Sequence, residues 1–343
     1  MNAPATPRTH GGPDAAGSVR WDFSTNVNAA GPCPLAVQTL ARADASRYPD
    51  PAYHRLRERL AAWHGVEVHR ILFAASASEF IQRVTAVGAR LAPGAVAVPP
   101  FAYGDYAVAA RACGRAVVGL GEAAATLHWH AEPSSPFGQD AAAPDDPAAR
   151  PTVLDLAYAP LRLGGEPRWS TQDRDAVIQL YSPNKALGLP GVRGAYAIAP
   201  ARAQWNVQAW CVALREAEPS WPLGAHAVAL LECWTDPAVH AWLADTRDTL
   251  RDWISALRTA LAELGLQPAP SVTPFLCARL PATAQPALLR ARGLAVRDTT
   301  SFGLPGWMRL SAQSPQATTA LISALRLLME DDRSTLIHGD VNR

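Results

Sequence analysis

Short apolar runs alternate with helix-like periodicity through the middle of the chain. Ile71-Leu72-Phe73, Ala95-Val96-Ala97-Val98, Ala116-Val117-Val118-Gly119-Leu120, Thr152-Val153-Leu154 and Ala176-Val177-Ile178-Gln179-Leu180 read as strands. Leu56, Leu60, Ala61 and Trp63 recur at helical spacing up to Gly65, and a second helical pattern runs from Phe80-Ile81 to Val87. Apolar strands separated by helices are what a mostly parallel sheet covered by helices requires. From Asn206 onward the periodicity is helical, with a long amphipathic stretch at 237–264, strand-like runs at 275–280 and 307–311, and a closing helix at 317–329. The expectation is an α/β protein with a mostly parallel central sheet, followed by a smaller α+β domain.

A net charge of +1 offers no basic face for nucleic acid. The five cysteines (Cys33, Cys113, Cys211, Cys233 and Cys277) have no C-x-x-C spacing, which fits buried thiols in a reducing compartment. Residues 1–19 lack an apolar core long enough for a signal peptide, and no apolar run reaches membrane-spanning length. A soluble, cytoplasmic protein is expected. His128 and His130 alternate on one strand face, but no third ligand accompanies them, so no metal site is expected. Residues 139–150 read as a mobile Ala/Asp/Pro-rich linker.

Lys185 is the only lysine; every other basic side chain is arginine. A lysine amine can lose its proton and attack a carbonyl, whereas a guanidinium stays charged. Ser182 stands three residues before it and Arg193 eight after, a hydroxyl and a guanidinium suited to holding a phosphate. The run S-x-x-K-x-x-x-x-P-G-x-R-G-x-Y resembles the lysine segment of fold-type-I pyridoxal-phosphate enzymes, the aminotransferase class I/II superfamily. The resemblance implies the fold of the PLP-dependent transferases. It makes Lys185 the anchor of the cofactor aldehyde, with Ser182 and Arg193 on its phosphate.

Other segments extend the resemblance over nearly the whole chain. Ala74-Ala75-Ser76-Ala77-Ser78-Glu79 follows a strand and opens a helix, whose free N–H groups and dipole make an anion site. It matches the family's phosphate loop with alanine and serine in place of glycine, and Ser76 and Ala77 supply the amides. Pro99-Pro100-Phe101-Ala102-Tyr103 follows a strand end, and by resemblance Tyr103 stacks on the cofactor ring if one residue is inserted, with Phe101 as competitor. Ser135 in Pro133-Ser134-Ser135-Pro136 takes the place of an asparagine that bonds the ring hydroxyl; the shorter serine loses that bond or makes it through water. Asp155-Leu156-Ala157-Tyr158 resembles D-E-A-Y, so Asp155 pairs with the ring nitrogen and Tyr158 reaches the ring hydroxyl. Tyr48-Pro49-Asp50-Pro51 resembles the family segment whose tyrosine reaches the cofactor phosphate of a neighbouring subunit, so the resemblance implies a homodimer with shared sites and Tyr48 in that role. By the same resemblance, Arg309 binds the substrate α-carboxylate.

The resemblance places boundaries at 1–45 for a segment packed over the active site, 46–235 for the large cofactor domain and 236–343 for the small domain. His10-Gly11-Gly12 and Asp22-Phe23-Ser24-Thr25-Asn26-Val27-Asn28 resemble the opening of the L-threonine-O-3-phosphate decarboxylases of cobalamin biosynthesis, close relatives of histidinol-phosphate aminotransferases. This puts His10 and Asn28 near the substrate and makes a decarboxylase the first reading. An aminotransferase of the histidinol-phosphate type is the second, and a divergent cofactor-binding protein with little catalysis the third. The partner in the first two is a small amino acid or amino-phosphate substrate.

Overall fold

The computed structural model of the protein describes residues 10–15 and 17–339. Strand β1 (Trp21–Asp22) and helices α1 (Pro34–Ala41) and α2 (His54–His64) lead into β2 (Ile71–Ala74) and α3 (Ala77–Leu91). Then follow β3 (Ala95–Val98), α4 (Gly104–Ala112), β4 (Val117–Gly119), β5 (Ala125–Ala131) and β6 (Thr152–Asp155). After α5 (Thr171–Arg174) come β7 (Ile178–Tyr181), β8 (Ala195–Ile198), α6 (Val207–Glu216), α7 (Ala225–Trp234) and α8 (Pro237–Glu263). The chain closes through β9 (Phe275–Arg279), α9 (Pro286–Ala291), β10 (Leu294–Ala295), β11 (Arg297–Asp298), β12 (Trp307–Ser311) and α10 (Pro315–Gly339).

Seven strands form the central sheet in the order β2-β8-β7-β6-β5-β3-β4. All neighbours are parallel except β8, which runs antiparallel to β2 and β7. The apolar runs are unbroken because the strands are covered twice. Along β2, Leu72 and Ala74 join the core beneath α3, α4 and α6, while Ile71 and Phe73 join the core shared with α2, α7 and α8. Every position of that strand is buried, so none is left for a polar alternation.

Helix α8 starts where Asp236 caps it, the carboxylate accepting the Ala238 N–H, with Pro237 in the first turn. Its buried positions Val239, Leu243, Leu250, Ile254, Leu257 and Leu261 repeat at three, four and seven residues and form one stripe. The expected boundary between 235 and 236 falls at this cap, yet one contiguous core crosses it: Leu230, Leu250, Leu276 and Leu310 belong to the same cluster. Strands β11, β12 and β9 form a separate antiparallel sheet, and β1 pairs with β10. The N-terminal segment is thereby sewn to the C-terminal part. Residues 139–150 are irregular but tied down: Arg162 makes two bonds to Asp140 (2.7 and 2.6 Å), and Gln204 bonds Asp146 (2.8 Å). Paired carboxylates, unseen in a composition reading, replace the expected mobility.

His64 ends α2 with Nε2 2.8 Å from the Tyr196 hydroxyl and its ring 4.8 Å from that of Tyr181. Burial pushes its pKa down to about 4, and burial does the same to His130. An unfolded imidazole titrates near 6.5. As pH falls below that value the unfolded chain binds protons that the native state refuses, so stability is full above pH 6.5 and is lost on the way to pH 4. Each histidine is expected to cost about 2 kcal/mol between pH 7 and pH 5. Denaturant melts at the two pH values check this: His64→Gln should show the smaller loss, and an unchanged pH dependence would mean that His64 titrates normally.

Candidate active site

The C-terminal ends of β2, β3, β5, β6 and β7 lie along one edge of the sheet, where open α/β sheets bind ligands. In register, Ala131 at the end of β5 faces Asp155 at the end of β6, and Asp155 faces Leu180 in β7. Asp155 is buried, and both of its oxygens accept: Oδ2 from the Tyr106 hydroxyl (2.7 Å), Oδ1 from the Ala157 N–H (2.9 Å). Tyr158 is half-buried, with Lys185 Nζ 5.7 Å from its ring centroid and the Phe275 ring edge-on at 4.9 Å.

Lys185 lies in the turns that follow β7. The Ser182 hydroxyl donates to Asn184 Oδ1 (2.8 Å), and Asn184 Nδ2 donates to the carbonyls of Pro190 (3.3 Å) and Val192 (3.2 Å). The buried Asn184 thus links Ser182 to the end of the loop, where Arg193 is exposed. Asn28 holds the loop from outside. Its N–H donates to the Lys185 carbonyl (2.9 Å), while Nδ2 donates to the Ala186 carbonyl (3.1 Å) and the Thr246 hydroxyl (2.9 Å). With Oδ1 accepting the Ala30 N–H (3.1 Å), the Asn28 side chain is engaged within the chain, which makes it a brace for the lysine loop. Gly188, at φ +69°, packs so that a Cβ would lie 2.7 Å from the Gly31 carbonyl oxygen.

Helix α3 supplies the anion end. Ser76 is its N-cap, Oγ accepting the Glu79 N–H (3.1 Å), and the amides of Ala77 and Ser78 sit in the first turn, where no intrahelical acceptor exists. Ser78 Oγ is 3.5 Å from the Tyr103 hydroxyl, which donates to Asp105 (2.9 Å). Burial first, then the Asp105 charge, push the Tyr103 phenol up and keep it protonated. Phe101 is exposed at φ 55° and meets the Phe137 ring edge-on, 5.9 Å away. Of the two ring-stacking candidates, Tyr103 is the one beside α3.

Arg309 is buried; Nη1 donates to Ser135 Oγ and Nη2 to the Ser24 carbonyl, both at 2.9 Å. Ser135 therefore stands against the arginine. Arg297 lies directly opposite Arg309 across β11 and β12 and is also buried. Burial, followed by repulsion from Arg309, pushes its pKa down to about 10. His10 is exposed, 6.2 Å from the Tyr103 ring. Tyr48 stands apart, 78% exposed and stacked on Trp221 at 4.4 Å. A cleft of about 480 Å³ lined by Arg162, Arg174, Arg247 and Arg251 opens between α8 and the loop after β6, and it contains none of these residues.

Sequence reasoning missed Tyr106, Asn184, Arg297 and Asn26. The carboxamide of Asn26 is buried, and neither Nδ2 nor Oδ1 has a partner among the described residues. It lies in sequence between Ser24, which accepts from Arg309, and Asn28, which holds Lys185. Leu294-Ala295-Val296-Arg297 offered a usable signal, an arginine in an apolar strand like that in Trp307-Met308-Arg309. Nothing in the sequence announced the bonds of Tyr106 or Asn184, which depend on approach in three dimensions.

The donor set fits pyridoxal phosphate: an amine, a buried carboxylate at a strand end, and a helix N-terminus with free amides. The family model for aminotransferase class I and II matches residues 21–325. A histidinol-phosphate aminotransferase of Ruegeria pomeroyi is 28% identical over 338 residues, covering 90% of this chain and 91% of that protein. One of Paramagnetospirillum magneticum is 27% identical, covering 89% and 90%. Among solved structures, the histidinol-phosphate aminotransferase of Sinorhizobium meliloti in complex with pyridoxal-5'-phosphate superposes with a TM-score of 0.75 at 19% identity, covering 92% of each chain. The L-threonine-O-3-phosphate decarboxylase of Porphyromonas gingivalis superposes equally, at 0.75 and 22% identity, covering 90% of this chain and 99% of that one. At such identities these likenesses concern the fold. With the family model spanning most of its length, this chain belongs to the aminotransferase class I and II family and is a pyridoxal-phosphate-dependent enzyme.

Proposed function

We propose that the protein is an aminotransferase of the histidinol-phosphate type, moving an amino group between a phosphorylated amine and a keto acid. The observation that carries this reading is the buried Arg309, whose Nε has no partner among the described residues, with Arg297 opposite it in register. A guanidinium out of water is tolerated when an anion accompanies it, so Arg309 calls for a substrate with a strongly anionic group. The names of the similar curated proteins support the same substrate class.

In this reading Lys185 holds the cofactor aldehyde and Asp155 the ring nitrogen. Tyr158 and Ser135 serve the ring hydroxyl side and Tyr103 the ring face. Ser76, Ala77, Ser182 and Arg193 hold the phosphate. When bound, the cofactor supplies the electron sink for the bond broken at the substrate α-carbon. Lys185 moves the proton at that carbon, while Arg309 and Asn26 orient the substrate. Tyr48 of a second copy completes the phosphate site: an aromatic 78% exposed, yet held against Trp221, is suited to meet another chain.

Decarboxylation of threonine phosphate is the second reading, favoured by His10 beside Tyr103 and by the likeness to the Porphyromonas enzyme. The two differ in substrate and in which bond at the α-carbon is set for cleavage, the C–H bond in transamination and the bond to the carboxylate in decarboxylation.

Borohydride reduction of the loaded protein should attach the cofactor at Lys185, as peptide mass mapping reads, and Lys185→Ala should abolish it. Turnover of histidinol phosphate that requires a keto acid supports transamination; carbon dioxide released from threonine phosphate without a keto acid supports the second reading instead. Arg309→Ala is expected to lower kcat/KM about 100-fold. Arg297→Gln should raise KM more for a phosphorylated amine than for its unphosphorylated analogue, and equal effects on both would remove Arg297 from substrate recognition. Mixed dimers of Lys185→Ala and Tyr48→Ala subunits should exceed the mean activity of the two homodimers. Activity at or below that mean would exclude a Tyr48 that works in the neighbouring site.

A further inference from the structure

We infer that Tyr106 is a positioning residue for Asp155: its hydroxyl fixes the direction of that carboxylate, so that Asp155 meets the ring nitrogen of the cofactor. The inference rests on the reading of Asp155 as partner of that nitrogen.

The Tyr106 hydroxyl donates to Asp155 Oδ2 at 2.7 Å, and the Ala157 N–H donates to Oδ1 at 2.9 Å. A carboxylate with two oxygens has about four acceptor sites, so these donors fix its plane and leave capacity for a third. The titratable groups facing Tyr106 are Asp155, Tyr103 and Tyr158, and burial together with the Asp155 charge holds its phenol protonated. It therefore donates throughout the working pH range.

The ring is held as firmly as the hydroxyl. Tyr106 stacks on Trp129 with centroids 4.3 Å apart and planes 9° apart, and meets Tyr103 edge-on at 5.7 Å and 84°. Tyr106 and Trp129 are fully buried, and the Trp129 indole N–H has no partner among the described residues. A tryptophan kept at the cost of an unsatisfied donor is there for its ring. That ring fixes Tyr106, and Tyr106 connects Asp155 to Tyr103, the candidate for the cofactor face.

The test reads the pH midpoint of the colour change of the protein-bound cofactor in the reconstituted holoenzyme, with thermal unfolding alongside. Without the Tyr106 donor the Asp155 carboxylate is no longer held toward the ring nitrogen, and its support of the protonated ring weakens. Tyr106→Phe should therefore move the midpoint upward by about half a pH unit and lower kcat more than it changes KM. Site-specific 3-fluorotyrosine at position 106 is a stronger donor and should move the midpoint downward. Asp155→Asn should move it further upward than Tyr106→Phe does. A midpoint unmoved in both Tyr106 variants but shifted in Asp155→Asn overturns the inference and spares the reading of Asp155; a midpoint unmoved in Asp155→Asn overturns that reading itself. If Tyr106→Phe does not retain cofactor, the fluorotyrosine protein decides: a downward shift supports the inference and no shift overturns it.

Discussion

The lysine loop is held by its backbone, and the active-site edge is organised around that restraint. A nucleophilic amine has to be free at its tip and fixed at its base. The Asn28 N–H takes the Lys185 carbonyl, its carboxamide takes the Ala186 carbonyl, and the Cys33 N–H takes the Leu187 carbonyl (2.9 Å). Three consecutive carbonyls of the loop are thus bound by the N-terminal segment. Gly188 lets the two backbones approach where a side chain would not fit.

The same segment reaches the opposite wall. Ser24 gives its carbonyl to Arg309, β1 pairs with β10, and the Ser311 N–H donates to the Phe23 carbonyl (2.9 Å). The lysine and the buried arginine, on different sheets, are therefore positioned relative to one another by residues 21–33. That arrangement gives Asp22-Phe23-Ser24-Thr25-Asn26-Val27-Asn28 a second meaning. Asn28 braces the loop, and in the proposed reading Asn26, whose carboxamide has no partner among the described residues, meets the substrate.

Features set by local chemistry could be read from the sequence. The apolar runs gave away the central strands because a strand covered on both faces has no polar positions, as β2 shows. Ser76 opening α3 and Asp236-Pro237 opening α8 follow from capping. The lone lysine stood out because of its chemistry. What could not be read depends on distance across the fold. That Tyr106, rather than another aromatic, reaches Asp155 is decided by how α4 packs on β5 and β6, and that Asn184 binds the end of its own loop is decided by the turns. The linker at 139–150 misled because composition speaks of solvation and is silent about Arg162, which finds Asp140 from a different loop.

In the proposed reading, charge gives the site its selectivity. Arg309 is buried with an Nε that has no partner among the described residues, and Arg297 faces it across a strand pair. A guanidinium out of water is tolerated when an anion accompanies it. The aromatic rings of Phe275 and Phe302 lie 5.8 and 5.9 Å from the Arg309 guanidinium and exclude water from it. They also ease its burial through the ring faces. In this environment a neutral amine gains little, whereas a phosphate or carboxylate collects several charge-assisted hydrogen bonds at once. In the proposed reading, substrate choice lies with the C-terminal sheet and the N-terminal segment. The lysine loop supplies chemistry that every anionic amine admitted there would share.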